Sequence, residues 1–243
     1  MDSKRYVLLD SLRGLMILLM IVYHALWDIA YIFDVDIPWF KSTVGFIWQQ
    51  GCWIFFLLSG FCWSLGRRKL KRGLQVFGAS IIISAVTIIF MPENVILFGV
   101  LSSIGTSMIV MIPLNRIFRK VNPYIGMIVC FGLFIVTRNI NSGSLGFGDL
   151  NILELPKIWY KDLFTAYLGF PPQSFSSSDY FSVFPWVFLY QTGYFLHGVF
   201  RKKEWFDYLT RPRIKFLEWI GRNSLVIYMI HQPIIYVILM ILF

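Results

Sequence analysis

The sequence has little charge and little cysteine. Charged residues make up 14% of the 243 residues, whereas a soluble domain carries roughly 25%. Such a chain has too few polar side chains to cover a surface that faces water. The three cysteines lie in apolar runs and lack the spacing of a metal site or a disulfide framework. These shortages exclude a soluble enzyme, a secreted disulfide-rich scaffold and a disordered chain, and we expect no metal ion.

Apolar side chains dominate the sequence instead. They make up 57% of the chain, aromatic residues alone make up 19%, and the mean hydropathy is +0.67. Tryptophan and tyrosine concentrate where helices leave the hydrocarbon of a bilayer. We therefore predict an all-α integral membrane protein whose partners include the lipid bilayer that surrounds it.

Seven stretches are close in length to the roughly 20 apolar residues that a helix needs to cross a bilayer. They are 8–32, 43–65, 74–91, 95–114, 124–137, 181–200 and 217–243. No internal repeat divides them. We predict a polytopic helix bundle with about seven transmembrane helices that forms a single domain over residues 1–243. The sequence leaves open whether the protein forms a homo-oligomer.

The basic residues indicate how the chain is oriented. The net charge is +9, and most lysines and arginines lie near the N-terminus or in 67–72, 116–120 and 201–215. These segments share one side of a seven-span path, so the positive-inside rule places the N-terminus in the cytoplasm and predicts a multi-pass plasma-membrane protein. Topology accounts for the charge without nucleic acid. The first apolar run lacks a cleavage site and is predicted to be a retained helix.

The first predicted span carries four ionisable residues, which are costly inside a bilayer and mark function by default. They are Asp10, Arg13, His24 and Asp28. The two aspartates lie about five helical turns apart, and the arginine and histidine about three, so all four share one stripe. We expect the stripe to face a polar track. The simpler alternative is an Asp10–Arg13 pair at a helix end with His24 bonded to a neighbouring helix.

A second polar group lies in the last predicted span. Ser224, Tyr228 and His231 fall on one helical face. Pro233 follows and removes a backbone donor, which predicts a kink and a polar cavity beside His231. Hydrogen-bonding between helices is the alternative interpretation of the same side chains.

These patterns resemble a known group of membrane enzymes. The run Asp10-x-x-Arg13-Gly14 with His24 downstream looks like the first-helix signature of the transmembrane acyltransferase superfamily, and the segment from Gly221 to Pro233 is similar to its late helix. Residues 13–28 and 176–193 resemble the bacterial branch of the heparan-α-glucosaminide N-acetyltransferase family. The resemblance covers nearly the whole chain.

The resemblance implies an acyl-CoA-dependent transferase. It would move an acyl group, usually acetyl, from cytoplasmic acetyl-CoA to an amine or hydroxyl of an extracytoplasmic glycan. By the same resemblance, His24 would occupy the catalytic position of the family. Basic residues on the predicted cytoplasmic side suit the CoA phosphates, although any cytoplasmic loop is basic. The predicted donor-binding residues are Asp10, Arg13, Arg67, Arg68, Arg72 and Ser224.

Elementary chemistry suggests roles for the remaining polar residues. A neutral His24 can deprotonate the acceptor while Asp28 stabilises the imidazolium that forms; a covalent acyl-histidine relay is an equally open route. Tyr228 or His231 is predicted to donate a hydrogen bond to the thioester oxygen. The alternatives from other classes are a small proton-coupled transporter, which explains the stripe without CoA, and a non-catalytic membrane partner.

Overall fold

A computed structural model describes residues 6–210 and 214–243, and its structure is dominated by helices. In chain order they are α1 (Val7–Trp27), α2 (Thr43–Gln49), α3 (Cys52–Trp63), α4 (Lys69–Phe90), α5 (Val100–Phe118), α6 (Pro123–Val136), α7 (Leu163–Leu168), α8 (Trp186–Lys202), α9 (Lys215–Arg222) and α10 (Ser224–Leu242). Helix α1 continues as a π-helical turn at Asp28–Ile32. Within the described residues, the strands are β1 (Ser144–Phe147) and β2 (Leu150–Glu154), which pair antiparallel.

Five helices of the described part are long and apolar enough to cross a membrane. They are Val7–Ile32, Lys69–Phe90, Val100–Phe118, Pro123–Ser142 and Ser224–Leu242. The predicted fold class, an all-α polytopic membrane protein, is confirmed. The count of seven spans, the cytoplasmic N-terminus and the single domain stay predictions.

Three predicted spans differ from the helices that form, each for a local reason. The stretch 43–65 is interrupted after Gln49 and resumes as α3 at Cys52, because Gly51 is a weak helix former. In 181–200, helix α8 starts only after Pro185, whose ring is incompatible with a helix interior. The stretch 217–243 divides at Asn223, whose amide bonds the Trp219 carbonyl at 2.8 Å, the local competition that places Asn at helix ends.

The chain divides into two compact units. The first contains Met1–Leu58 and Phe200–Phe243, and in it α1 packs along α9 and α10. The α1–α9 crossing is very close: a Cβ on Gly14 would lie 1.9 Å from the Leu217 carbonyl oxygen, and one on Gly221 would lie 1.8 Å from the Asp10 carbonyl oxygen. Two glycines therefore let these two backbones touch.

The second unit is Ser59–Val199. Its helices α4 and α5 pack against each other, with Gly105 against the Phe77 backbone. Phe134 and Tyr190 are completely buried at its centre. Apolar side chains thus form the core of this unit.

The long segment 138–180 is a structured part of the second unit. It contains the β1–β2 hairpin and the six-residue helix α7. The Asn141 amide donates to Ser182 Oγ at 2.9 Å, and the Tyr160 hydroxyl donates to the Ile140 carbonyl at 2.6 Å. The first bond ties the segment to the residues just before α8, and the second joins two parts of the segment itself.

The N-terminus of α7 predicts a pH response of this segment. Asp162 accepts a hydrogen bond from the Thr165 amide at 2.8 Å, and that bond holds the pKa of the Asp162 carboxyl below its usual value. A depressed pKa adds stability that is fully present above the ordinary Asp pKa of about 4, and this stability is lost as the pH falls from there through the lowered pKa. We expect amide exchange in α7, corrected for intrinsic rates, to accelerate on acidification.

Asp162→Asn is the matched control for this response. Asparagine caps helices about as well as aspartate but does not titrate, so the variant should keep α7 and lose the pH response. An identical pH dependence in the two proteins would contradict the assignment.

Candidate functional site

The first two residues of the polar stripe lie where α1 crosses α9. Asp10 is buried and accepts a hydrogen bond from Arg13 Nη1 at 3.2 Å. The same Nη1 lies 3.5 Å from the Gly221 carbonyl oxygen, and Arg222 Nε lies 4.0 Å from the Asp10 carboxylate. The charges of Asp10 and Arg13 therefore help to join α1 to α9. Their role as donor-binding residues stays a prediction.

His24 lies in the last turn of α1 and is half-buried. Its Nδ1 is 3.0 Å from the Met20 carbonyl oxygen. A carbonyl only accepts, so Nδ1 carries the proton of the neutral ring and Nε2 keeps its lone pair. This tautomer suits a general base or a nucleophile at Nε2. The backbone of α1 itself sets the orientation of the ring.

His231 of α10 faces His24. The ring centroids are 5.0 Å apart and the planes meet edge to face at 69°. His231 Nδ1 bonds the Tyr228 carbonyl oxygen, so in the neutral ring Nε2 is again an acceptor. A hydrogen bond from His231 to a thioester oxygen would need a second proton on that ring. Tyr228, whose ring centroid lies 5.3 Å from that of His231, carries a hydroxyl donor in its ordinary state.

Asp28 lies one turn beyond His24, at the start of the π-helical turn, and its side chain is fully buried. Gln232 Nε2 donates to both carboxylate oxygens, each at 2.9 Å. A buried carboxylate needs such donors. The sequence predicted Asp28 as a site residue but missed Gln232, although Gln232 directly follows His231 in the His-Gln-Pro run.

The structure brings all four predicted catalytic residues into one unit. His24, Asp28, Tyr228 and His231 lie where α1 meets α10. Ser224 is half-buried at the first position of α10, one helical turn before Tyr228. The kink predicted at Pro233 stays a prediction, and Pro233 lies inside the continuous helix α10.

The three predicted arginines of the basic loop belong to the second unit. Arg67 and Arg68 are exposed before α4, and Arg72 lies in its first turn. Sequence reasoning missed two further cations there. Lys69 Nζ lies 3.5 Å above the centre of the Trp63 ring, a cation–π contact, and the charge of Arg119 acts on Lys69. Together, these cations form a basic patch that consists of Arg67, Arg68, Lys69, Arg72 and Arg119.

The described residues contain no group of three or more His, Cys, Asp or Glu side chains placed to hold a metal ion.

Helices that are long and apolar enough to span a membrane, with a polar cluster between α1 and α10, define the chain as an integral membrane protein. A family described as "Heparan-alpha-glucosaminide N-acetyltransferase, catalytic" matches residues 5–233. The chain belongs to this family, as the resemblance implied, and membership supports a membrane-embedded transferase. No curated protein and no solved structure matches it.

Proposed function

We propose that the protein transfers an acetyl group from cytoplasmic acetyl-CoA to an amine or hydroxyl of an extracytoplasmic sugar. The observation that carries the proposal is the His24 ring. Its Nδ1–H is engaged by the Met20 carbonyl, which leaves the Nε2 lone pair as a base inside a membrane-spanning helix. Asp28, buried one turn away, supplies a negative charge that stabilises an imidazolium.

The chemical step with an amine acceptor uses this lone pair directly. The acceptor nitrogen attacks the thioester carbonyl carbon and forms the C–N bond, and His24 Nε2 takes one proton from that nitrogen. The C–S bond then breaks, its electron pair goes to sulfur, and the imidazolium returns the proton to give the CoA thiol. Tyr228 donates a hydrogen bond to the carbonyl oxygen while negative charge develops on it.

The same lone pair supports the acyl-histidine relay, in which Nε2 itself attacks the carbonyl carbon and expels the thiolate. Incubation with radiolabelled acetyl-CoA in the absence of sugar separates the two routes. The relay leaves label on the wild-type protein and none on His24→Ala, whereas direct transfer labels neither.

The function is tested with purified protein in liposomes. Acetyl-CoA is supplied on one side and glucosamine, as the probe acceptor, on the other, and acetylated sugar and free CoA thiol are measured. The proposal expects equal amounts of both products. A proton-coupled flux of sugar without CoA release would instead favour the transporter, and no product with any sugar amine or hydroxyl supplied would contradict the transferase.

The basic patch supplies a separate prediction about the donor. The double variant Arg67→Glu with Arg68→Glu should raise the KM for acetyl-CoA by about tenfold, because charge-assisted bonds to phosphate are lost and repulsion replaces them. The effect should shrink as salt is raised. Steady-state kinetics at two salt concentrations measures both.

A matched double reversal provides the control. Lys157 and Lys161 are exposed in the segment 138–180, and Lys157→Glu with Lys161→Glu changes the net charge by the same amount. This variant should keep the wild-type KM for acetyl-CoA. Equal increases in the two double variants would show a general charge effect rather than phosphate binding.

A further inference from the structure

Two contacts between α1 and α10 follow each other along the helices. His24 faces His231 with a centroid separation of 5.0 Å, and Asp28 accepts hydrogen bonds from Gln232 at 2.9 Å. His24 and Asp28 are one turn apart on α1, about 6 Å along its axis, and the two α10 residues are consecutive. The residue opposite each predicted catalytic group therefore comes from one short piece of α10.

The Asp28 contact fixes which way the Gln232 amide points. Gln232 Nε2 donates to both oxygens of the Asp28 carboxyl group, so the amide oxygen faces away from them. That oxygen, Oε1, is buried and has no hydrogen-bond partner among the described residues. The orientation of Gln232 is thus set at one end, while its acceptor end is unused.

His231 presents a second unused acceptor. Its side chain is 8% exposed, and its Nδ1 proton is engaged by the Tyr228 carbonyl. Its Nε2 atom is buried and lacks a partner in the described part of the chain. Buried polar atoms are nearly always hydrogen-bonded, so two orphaned acceptors on consecutive residues need an explanation.

We propose that Gln232 Oε1 and His231 Nε2 bind N–H groups of a substrate at this site, which makes Gln232 a substrate-binding residue held in position by Asp28. The inference rests on the proposed function. Acetyl-CoA and an amino sugar both carry N–H groups, the first in its pantetheine amides and the second in its amine. Both unused atoms are acceptors, so the ligand group they recognise is a hydrogen-bond donor.

Two substitutions separate the acceptor atom from the Asp28 contact. Gln232→Lys keeps a nitrogen donor for the Asp28 carboxylate and removes the acceptor oxygen. Gln232→Glu keeps an acceptor oxygen and removes the amide donor. If the oxygen binds substrate, the lysine variant loses affinity and the glutamate variant retains more of it; if Gln232 only holds Asp28, the order is reversed.

The readout is binding in detergent, measured as the ligand-induced shift of the unfolding temperature. Glucosamine and acetyl-CoA are titrated separately, and glucose is the matched probe without the amine. We expect Gln232→Lys to weaken one of the two N–H ligands by about 3- to 10-fold, the worth of one lost hydrogen bond, while glucose is unaffected. Weakened glucosamine identifies the amine as the bound group, and weakened acetyl-CoA identifies the pantetheine amide.

Unchanged affinity of Gln232→Lys for both ligands overturns the inference, and so does a wild-type protein that binds neither. An unfolding temperature of Gln232→Lys close to that of wild type without ligand shows that the helices still pack. A wild-type protein that binds these ligands but transfers no acetyl group would contradict the proposed function and leave the inference standing.

Discussion

Replacing His24 by alanine is expected to lower acetyl transfer by about 10²- to 10⁴-fold, the usual contribution of a general base. The proposed mechanism uses the lone pair on His24 Nε2. The contact of Nδ1 with the Met20 carbonyl sets the orientation of the ring and therefore of this lone pair. Alanine removes that lone pair and leaves the backbone bonds of α1 in place. The measurement is the release of CoA thiol in liposomes supplied with acetyl-CoA and glucosamine.

His197→Ala is the matched control, because it removes the same side chain from a helix without touching the predicted site. His197 lies in α8 of the second unit, and its ring packs edge to face on Phe61 at 5.3 Å. This variant should keep transfer near the wild-type rate. Wild-type turnover in His24→Ala, with acetyl-CoA binding intact, would remove His24 from the mechanism.

The largest effect on stability is expected at the α1–α9 crossing. In Gly221→Ala the new Cβ would lie 1.8 Å from the Asp10 carbonyl oxygen and 3.0 Å from the Gly14 nitrogen. Both neighbours are backbone atoms, so the helices must separate. We expect the free energy of unfolding to fall by about 3 kcal/mol or more, at or beyond the upper end of ordinary overpacking. Thermal unfolding in detergent measures the loss.

Gly132→Ala tests whether the loss comes from the crossing or from the substitution itself. Gly132 lies in α6, and none of the described atoms outside its own neighbourhood comes within 4 Å of the Cβ it would gain. Alanine is the better helix former by about 1 kcal/mol, so this variant should be as stable as wild type or slightly more stable. Comparable destabilisation by both substitutions would contradict the close crossing.

The same crossing connects stability to the site. Asp10, Arg13 and Arg222 form their charge contacts there, and α1 continues from the crossing to His24. A helix that shifts at Gly221 therefore shifts the start of the polar stripe. If the Gly221→Ala variant folds, we therefore expect it to lose transfer activity as well.

Some features of the protein follow from the sequence because they depend on spacing and composition. Low charge and long apolar runs require helices in lipid, where every backbone polar group must find a partner within the helix. The positions of His24 and Asp28 four residues apart fix them on one face of α1 wherever that helix lies. The sequence likewise placed Ser224, Tyr228 and His231 on one face of the last helix as part of a polar site.

Other features required the tertiary structure because they depend on atoms far apart in the chain. The amide of Gln232 and the carboxylate of Asp28 are separated by most of the sequence, and their pairing at 2.9 Å appears only when α10 lies against α1. The same holds for the contact of Gly14 with Gly221. The interruptions at Gly51 and Asn223 are local instead, because a single weak helix former there competes with an apolar run. Hydropathy is an average over a window of residues, so it does not register the effect of one residue. Contacts between individual atoms in the folded protein determine where such helices end and which helices approach each other.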